Sequence, residues 1–183
     1  KNLFPGGLDV PTENFMANIA QTKELLQQKR PLFEAGILSG KIYSRVDILN
    51  PVNEDEWDII EVKSATSVKA VNLHDVSFQK LCCEDNGLRI RKCFLAFINN
   101  QYIRNGEIDP KELFTLQDIS DEVATISEGT RDRIADMLEV IGTPTCPEVT
   151  IGLHCNRPYD CPLTDCWEGL PDHNVFTLSR GGK

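Results

Sequence analysis

The order of the apolar-rich segments constrains the fold of this 183-residue chain more than any other feature. Segments 33–38, 41–49 and 57–63 are rich in apolar residues and are separated by short polar turns, which predicts three strands in a meander. A helix over 72–85 and a long strand over 88–98 are expected to follow. Because a helix between two strands is a crossover connection, the last strand should lie parallel to a neighbour. The sequence therefore predicts an α/β fold with a mixed sheet flanked by helices.

Two further helices are expected outside this core. The first is predicted over residues 13–29, with Thr12 as its N-cap, and the second begins at Asp118 or Ser120 and runs to Ile141. Apolar residues recur at helical spacing in both, and the stripe of the second helix should pack on the sheet. They are Phe15, Ile19, Leu25 and Leu26 in the first helix, and Ile119, Val123, Ile126, Ile134, Met137, Leu138 and Ile141 in the second.

Length and charge narrow the class of protein. A chain of this length can form one domain with a core, or one domain with an appendage. The net charge of −9 argues against tight nonspecific binding of nucleic acid, although a bound divalent cation would supply part of the missing positive charge. No segment approaches the length needed to cross a bilayer and no signal-peptide pattern is present, so we expect a soluble cytoplasmic protein with no membrane partner. Lys1 stands where a methionine would start a complete chain, which indicates a piece of a longer polypeptide.

Asp47, Glu61 and Lys63 form the pattern that most strongly suggests a chemical function. A hairpin between their strands should place Asp47 opposite Glu61. Because side chains alternate across a strand, Glu61 and Lys63 share a face and Val62 points the other way, into apolar packing. Carboxylates can hold Mg²⁺ or Mn²⁺, and a nearby lysine can orient the attacking water or stabilise a developing oxyanion. The alternative is a surface hairpin with ordinary cross-strand charge pairing.

The segments around these residues resemble the RecB-type branch of the PD-(D/E)xK nucleases. The closest likeness is to bacterial RecB-like proteins related to the CRISPR-associated exonucleases that carry an iron-sulfur cluster. Residues 36–49, 57–64 and 74–79 carry the resemblance together with the cysteines near the C-terminus, and it extends over nearly the whole chain. It implies a restriction-endonuclease-like core over 1–142 and, over 143–183, a cysteine-rich tail leading toward a following domain. The implied activity is that of a deoxyribonuclease, an exonuclease on single-stranded DNA ends, which hydrolyses phosphodiesters with metal-activated water.

The resemblance also assigns the metal site and the catalytic lysine. Asp47 and Glu61 would hold Mg²⁺ or Mn²⁺, the Val62 backbone carbonyl would add a ligand, and Lys63 would be the catalytic lysine. The histidine that usually completes this site in the family has no counterpart in this sequence.

Three other positions are implied or suggested. Gln79 matches the glutamine of the family's Gln-x-x-x-Tyr motif, but Cys83 stands in place of the tyrosine, which puts the DNA-contacting half of the motif in doubt. Glu34 resembles an acidic position of the family, and the alternative is a surface glutamate at a strand end. Asp75 shares a helix face with Gln79 and either orients the site or caps the helix.

The chain has seven cysteines without a secretory signal, which argues against a disulfide framework. Three of them, Cys82, Cys83 and Cys93, fall in a predicted helix and strand, where buried free thiols are usual. The others lie in the proline-rich tail at spacings that lack the Cys-x-x-Cys knuckles of structural zinc sites and that suit an iron-sulfur cluster. They are Cys146, Cys155, Cys161 and Cys166.

The resemblance makes Cys155, Cys161 and Cys166 ligands of a four-iron cluster in the intact protein. Cys146 or a cysteine outside this chain would be the fourth ligand. The alternative is a set of free or zinc-bound thiols, and in this chain alone the cluster would be held poorly by three thiolates.

Three functions are compatible with these patterns. The first is a metal-dependent deoxyribonuclease acting on DNA with free or single-stranded ends. The second is a catalytically degenerate nucleic-acid-binding or scaffold module with a structural metal or cluster site. The third is a small interaction domain carrying zinc or a cluster, in which Asp47 has no role. Binding of Mn²⁺ at Asp47 and Glu61 would separate the first from the other two.

Overall fold

A computed structural model describes residues 1–157 and 159–178 of this chain. Its residues form two compact units, Lys1–Ile134 and Ala135–Lys183. The first unit contains one six-stranded sheet in which the strands lie in sequence order. The strands are β1 (Leu8–Asp9), β2 (Leu32–Ser39), β3 (Ile42–Pro51), β4 (Glu56–Lys63), β5 (Arg89–Ile98) and β6 (Phe114–Asp118).

The sheet is mixed. Strand β1 pairs with β2 in parallel, and β4 pairs with β5 in parallel, whereas the β2–β3, β3–β4 and β5–β6 pairs are antiparallel. The crossover between β4 and β5 is a helix, so the predicted α/β fold with a mixed sheet flanked by helices is confirmed. Strands β1 and β6 were not predicted, because segments of two and five residues give too short a pattern.

The two long helices predicted over 13–29 and up to Ile141 are replaced by shorter helices in the structure. They are α1 (Phe15–Leu25), α2 (Ala70–Asp85), α3 (Pro110–Leu113), α4 (Ser120–Ser127) and α5 (Thr130–Gly142). Helix α1 begins after Asn14, whose side chain accepts a hydrogen bond from the Ala17 amide at 2.9 Å. The N-cap is therefore Asn14 and not Thr12. A short 3-10 turn over Leu26–Gln28 follows α1 and completes this segment.

The predicted single helix from Asp118 or Ser120 to Ile141 is wrong, since it is divided into α4 and α5. Gly129 lies at the break and is a poor helix former. The hydroxyls of Ser127 and Thr130 lie 3.0 and 2.7 Å from the Ser77 hydroxyl of α2, so the chain turns where these polar groups meet a neighbouring helix. In the apolar stripe, Val123 is fully buried, whereas Met137 and Ile141 are exposed, so the stripe is not a continuous packing surface.

The main core lies between the sheet and the helices α2 and α4. Its helical members are Val76, Cys82, Cys83 and Val123, and its strand members are Leu32, Ala35, Ile37, Val46, Leu49, Trp57, Ile59, Cys93, Leu95 and Phe97. A smaller cluster of Phe33, Ile48, Ile60 and Ala96 lies apart from it, with Phe4 and Phe94 packed against it. Within β4 the main core contains Trp57 and Ile59, whereas the smaller cluster contains Ile60. The alternation of side chains therefore gives Glu61 and Lys63 the face that is packed by α2.

The second unit contains the end of α5 and then mostly irregular chain. Its 3-10 turns are Leu153–Cys155, Asp165–Trp167 and Val175–Thr177. The rings of Trp167 and Phe176 meet edge to face with their centroids 5.2 Å apart. Among the residues described, no helix combines the length and the apolar character that a membrane crossing requires.

Candidate active site

The β3–β4 hairpin brings Asp47 to the point where the two strands separate. Their ladder pairs Leu49 with Ile59 and Ile48 with Ile60, and the same register continued by one residue sets Asp47 opposite Glu61. Here the side chain replaces the backbone ladder, because Oδ2 of Asp47 accepts a hydrogen bond from the Val62 amide at 2.8 Å. The Asp47 carboxylate is thereby fixed at the end of β4, next to the segment that carries Glu61.

Glu61 is the centre of a hydrogen-bonded group of four side chains. Its Oε1 lies 2.5 Å from Nζ of Lys63, and its Oε2 accepts a hydrogen bond from Nε2 of Gln79 at 2.6 Å. Lys63 also donates to Oδ2 of Asp75 at 2.8 Å. Strand β4 supplies two members of the group and helix α2 supplies the other two, four residues apart on one helix face. Asp75 therefore contacts the site directly and is not the N-cap of α2, a position that Lys69 occupies.

The electrostatics of the group centre on a buried carboxylate. Glu61 is only 4% exposed. Burial raises its pKa from 4.5 to about 7, and the charges of Asp47 and Asp75 act in the same direction, while the hydrogen bonds from Gln79 and Lys63 oppose the shift. Burial also acts to lower the pKa of Lys63, but its hydrogen bonds to Asp75 and Glu61 outweigh that effect and raise it. Lys63 therefore stays charged near neutral pH, whereas Glu61 is close to its midpoint.

Gln79 carries a polar atom that is unsatisfied. The side chain is 4% exposed, and its Oε1 has no hydrogen-bond partner among the described residues. Rotating the amide would set Oε1 against the carboxylate of Glu61, so the orientation that donates Nε2 to Glu61 is the favourable one while that carboxylate is ionised. A buried acceptor without a partner costs about 1–3 kcal/mol.

The donors of this group fit Mg²⁺ or Mn²⁺ held in part by protein and in part by water or substrate. Asp47 and Glu61 offer carboxylate oxygens, which hard cations prefer, and Mg²⁺ is commonly bound by one or two carboxylates with waters and phosphates. The backbone of Val62 donates toward Asp47, and the carbonyl of a strand residue points to the same side as its amide. Within the described ranges no group of three or more His, Cys, Asp or Glu residues is arranged to hold a metal by itself.

Comparisons with known proteins identify no relatives. No protein-family model, no curated protein and no solved structure matches the chain.

Glu34 lies on β2 and does not join the hydrogen-bonded group around Glu61. Its Oε2 lies 3.0 Å from Nε of Arg45, and both side chains are about half exposed. Its backbone is unusual, because φ is +63° in the middle of a strand. This left-handed conformation costs a residue with a side chain about 1–2 kcal/mol. Unusual backbone of this kind is concentrated at functional sites, where the surrounding structure maintains it.

The three cysteines of the first unit are buried. Cys82, Cys83 and Cys93 are at most 1% exposed, and none forms a disulfide. Burial raises the pKa of Cys82 to about 11 and that of Cys93 to about 12, and it raises the pKa of Cys83 further. The prediction of buried free thiols at these positions is confirmed.

The tail cysteines are more accessible. Cys155 is partly exposed, and Cys146, Cys161 and Cys166 are exposed. The Cys161 amide donates to the Cys155 carbonyl at 2.7 Å, so the backbones of these two predicted ligands are adjacent. The described part of the tail contains no ready-made group of three metal ligands, and the iron-sulfur cluster stays a prediction.

Sequence analysis missed one group of buried polar residues near the site. Asn18 and Thr22 of α1 are each 1% exposed, whereas Phe15, which was assigned to the apolar stripe, is 49% exposed. The available signal was their spacing of four residues, which places both on the same helix face beside Ile19. Polar residues on the buried side of a helix need partners, and here the partners belong to β2 and β3.

Proposed function

We propose that this chain is a metal-dependent deoxyribonuclease of the RecB-like PD-(D/E)xK type with a restriction-endonuclease-like core. The observation that carries the proposal is that the Asp47 carboxylate bonds to the Val62 amide, in the backbone between Glu61 and Lys63, whose side chains bond to each other. Helix α2 adds Gln79 and Asp75 to the same group. These are the residues to which the resemblance of the sequence motifs assigns or suggests a role, and the mixed sheet flanked by helices is compatible with the implied core.

Asp47 and Glu61 would hold Mg²⁺ or Mn²⁺, with the Val62 carbonyl as a further oxygen. The cation, when bound, would activate water and neutralise charge on the phosphate. Burial and the charges of two neighbouring carboxylates raise the pKa of Glu61, because they disfavour its ionised form. A bound positive ion would offset the repulsion between these carboxylates. Its present partner at Oε1 is the Lys63 ammonium, so a cation would have to compete with Lys63 for this oxygen.

Lys63 would act on the substrate as a charged donor. Its ammonium can orient the attacking water or stabilise negative charge that develops on the phosphate. Because Asp75 holds the same ammonium at 2.8 Å, Lys63 keeps one partner when it leaves Glu61. Asp75 is therefore proposed as a positioning residue for Lys63.

Gln79 would be a positioning residue for Glu61. Its Nε2 fixes one oxygen of Glu61, while its own Oε1 is buried and has no partner among the described residues. The resemblance supports DNA with free or single-stranded ends as the substrate and an exonuclease as the mode of action. The net charge of −9 makes the cation an expected part of the phosphate interaction.

The experiment is a cleavage assay with end-labelled single-stranded and double-stranded DNA, in Mn²⁺, in Mg²⁺ and in EDTA. Wild-type protein should degrade DNA only with the divalent ions. Glu61→Gln and Lys63→Met should each lower the rate by at least about 100-fold, as expected when a group that stabilises the transition state is lost. Asp55→Asn is the matched control, because it removes an exposed carboxylate from the same hairpin. Wild-type protein without metal-dependent cleavage, or a fully active Glu61→Gln variant, would contradict the proposal.

Two observations favour a second candidate, the catalytically degenerate nucleic-acid-binding module. Cys83 replaces the tyrosine of the family motif and is 0% exposed, so DNA cannot contact it in this structure. In addition, both oxygens of Glu61 already have protein partners. Metal-independent binding of labelled DNA, without cleavage of any tested substrate, is the result expected for such a module.

For the tail we propose an iron-sulfur cluster bound by Cys155, Cys161 and Cys166, with Cys146 or a cysteine outside this chain as the fourth ligand. The support is the density of cysteines among prolines and the adjacency of the Cys155 and Cys161 backbones. The cluster would cross-link the tail, and the proposal assigns it no redox catalysis.

A further inference from the structure

Strand β2 bends at Glu34, and the bend lies opposite Asp47. The β2–β3 ladder pairs Phe33 with Ile48 and Ala35 with Val46, and it omits the intervening pair of Glu34 and Asp47. Glu34 has the left-handed φ of +63° that residues with side chains avoid. The predicted first carboxylate of the site therefore lies at an interruption of the sheet.

The bend shifts the alternation of side chains along β2 and β3, so that the residues facing the core differ before and after it. In a regular strand, residues three positions apart point to opposite faces. Leu32 and Ala35 of β2 nevertheless belong to the same main core, and so do Val46 and Leu49 of β3. The alternation thus shifts by one residue in both strands, at Glu34 and Asp47. This shift accompanies the turn of the Asp47 carboxylate toward the Val62 amide of β4.

Asn18 of α1 supplies the hydrogen bonds that hold the bent strand. Its Nδ2 donates to the carbonyl of Glu34 at 3.0 Å and to that of Pro11 at 2.9 Å. Its Oδ1 accepts a hydrogen bond from the Tyr43 hydroxyl at 3.0 Å, which connects the same side chain to β3. The amide group of Asn18 is therefore satisfied by β2, β3 and the segment before α1 together.

The neighbouring positions are adapted to this contact. The Gly36 amide donates to Oγ1 of Thr22 at 2.9 Å, one helical turn from Asn18. A Cβ atom on Gly36 would lie 1.7 Å from Oδ1 of Asn18, so a larger residue cannot occupy this position without displacing the asparagine. Two buried polar side chains of α1 thus bond to the backbone of β2 on either side of Ala35.

We infer that Asn18 is a positioning residue for Asp47, because it holds the left-handed bend at Glu34 and thereby directs the Asp47 carboxylate to the Val62 amide. The catalytic consequence depends on the proposed function, whereas the placement of Asp47 does not. A left-handed residue is tolerated when it is glycine and opposed when it is β-branched. Substitutions at position 34 that favour or oppose a left-handed backbone are therefore a direct test of the bend.

The test compares Glu34→Gly with Glu34→Val. Both variants lose the ion pair with Arg45, so they are matched for the loss of charge. We expect Glu34→Gly to keep the bend and the wild-type hydrogen exchange of the Val62 amide, measured by NMR on ¹⁵N-labelled protein. Glu34→Val should exchange Val62 at least about tenfold faster and weaken Mn²⁺ binding by about tenfold, which corresponds to about 1.4 kcal/mol. Circular dichroism must show that both variants are folded.

Asn18→Asp tests the hydrogen bonds from Asn18, since aspartate has the same shape but cannot donate to the carbonyls of Pro11 and Glu34. It should resemble Glu34→Val, and adding Glu34→Gly to it should restore much of the Val62 protection. If Asn18→Asp does not fold, the two Glu34 variants still decide the outcome. Equal Val62 exchange in folded Glu34→Gly and Glu34→Val would overturn the inference. Wild-type protein that neither binds Mn²⁺ nor cleaves DNA would refute the proposed function alone, because the exchange comparison needs no metal.

Discussion

Lys63 lies 2.8 Å from Oδ2 of Asp75, one turn before Gln79 on helix α2. The same ammonium contacts Glu61, so it bridges a buried carboxylate on the sheet and a partly exposed one on the helix. This arrangement gives Lys63 a partner that does not depend on Glu61. If Glu61 binds a cation as proposed, Asp75 would keep Lys63 oriented.

Asp75→Asn should lower the rate of Mn²⁺-dependent DNA cleavage by about tenfold. The variant keeps a hydrogen-bond acceptor but removes the charge, and both partners are partly exposed, so the loss is smaller than that of a buried ion pair. The effect should fall on kcat, with little change in KM, because Lys63 would be misoriented in the transition state. Steady-state kinetics on a short labelled DNA would measure it.

The control is Glu84→Gln, which removes the carboxylate of the Lys80 ion pair on the same helix. A change confined to KM would argue against a positioning role.

Glu61 should make the protein less stable as the pH rises from about 4.5 to about 7. Its pKa is raised in the folded state from an ordinary value of 4.5, so over this interval the folded protein binds more protons than the unfolded chain. The Glu61 contribution is therefore most favourable below pH 4.5 and is lost as the pH passes through 7. Urea unfolding of the wild type and of Glu61→Gln should show the difference. The stability of the variant relative to the wild type should increase between pH 5 and pH 8, by an amount of the order of 2 kcal/mol.

The control for this titration is the exposed pair of Lys92 and Asp118. There the main hydrogen bond, from Lys92, lowers the pKa of Asp118 from 3.8 to about 2, so the stability that Asp118 contributes is present above pH 4 and is lost as the pH falls to about 2. The difference in stability between Asp118→Asn and the wild type should therefore stay constant from pH 5 to 8 and shrink only below about pH 4. A Glu61→Gln curve parallel to that of the wild type from pH 5 to 8 would show that Glu61 does not titrate in this range.

The order of β2, β3 and β4 and the shared face of Glu61 and Lys63 could be predicted because they depend on local rules. Alternation within β4 sets the shared face of Glu61 and Lys63, and hairpin register sets Asp47 opposite Glu61. A role of Asp75 in orienting the site was one of two predicted alternatives, but its contact with Lys63 was not predicted, because it depends on how α2 packs across the sheet. Patterns within one segment contain no information about such an angle.

The bend at Glu34 could not be predicted for a different reason. Glutamate has no preference for a left-handed backbone, and glycine or asparagine is the usual signal for one. The conformation is stabilised by Asn18, sixteen positions earlier in the chain. Likewise, the single helix expected up to Ile141 is interrupted where Ser127 and Thr130 bond to Ser77, which is distant in sequence. In both places a tertiary hydrogen bond overrides the local pattern.

Gly36→Ala should destabilise the first unit by about 2–3 kcal/mol. The added methyl group would overlap Oδ1 of Asn18 and crowd the Tyr43 hydroxyl, and overpacking of this kind typically costs 1–3 kcal/mol, as an order of magnitude. Gly142→Ala is the matched control, since a Cβ there has no atom within 4 Å. Thermal unfolding followed by circular dichroism would compare the two variants. A stability for Gly36→Ala equal to that of Gly142→Ala would show that α1 and β2 are not in contact as described.

The tail cysteines should bind iron in the intact protein when it is purified without oxygen. Such protein should be brown and absorb broadly in the visible range, and Cys155→Ala, Cys161→Ala and Cys166→Ala should each lower its iron content by more than half, because each removes a thiolate ligand. Cys146→Ala tests the fourth position and should have the same effect only if Cys146 is that ligand. The control is Cys82→Ala, whose thiol is buried with a pKa raised to about 11 and is therefore unsuited to metal binding.

Metal analysis distinguishes the alternatives for the tail. Colourless protein with one equivalent of zinc that is lost in the same three variants would identify a zinc site, and protein without either metal would identify free thiols. A loss of iron in Cys82→Ala equal to that in Cys161→Ala would show that the loss follows from misfolding rather than from a missing ligand. Iron that is retained in Cys82→Ala and lost in Cys161→Ala would assign the cluster to the tail, because only the exposed thiol is free to ionise and bind it.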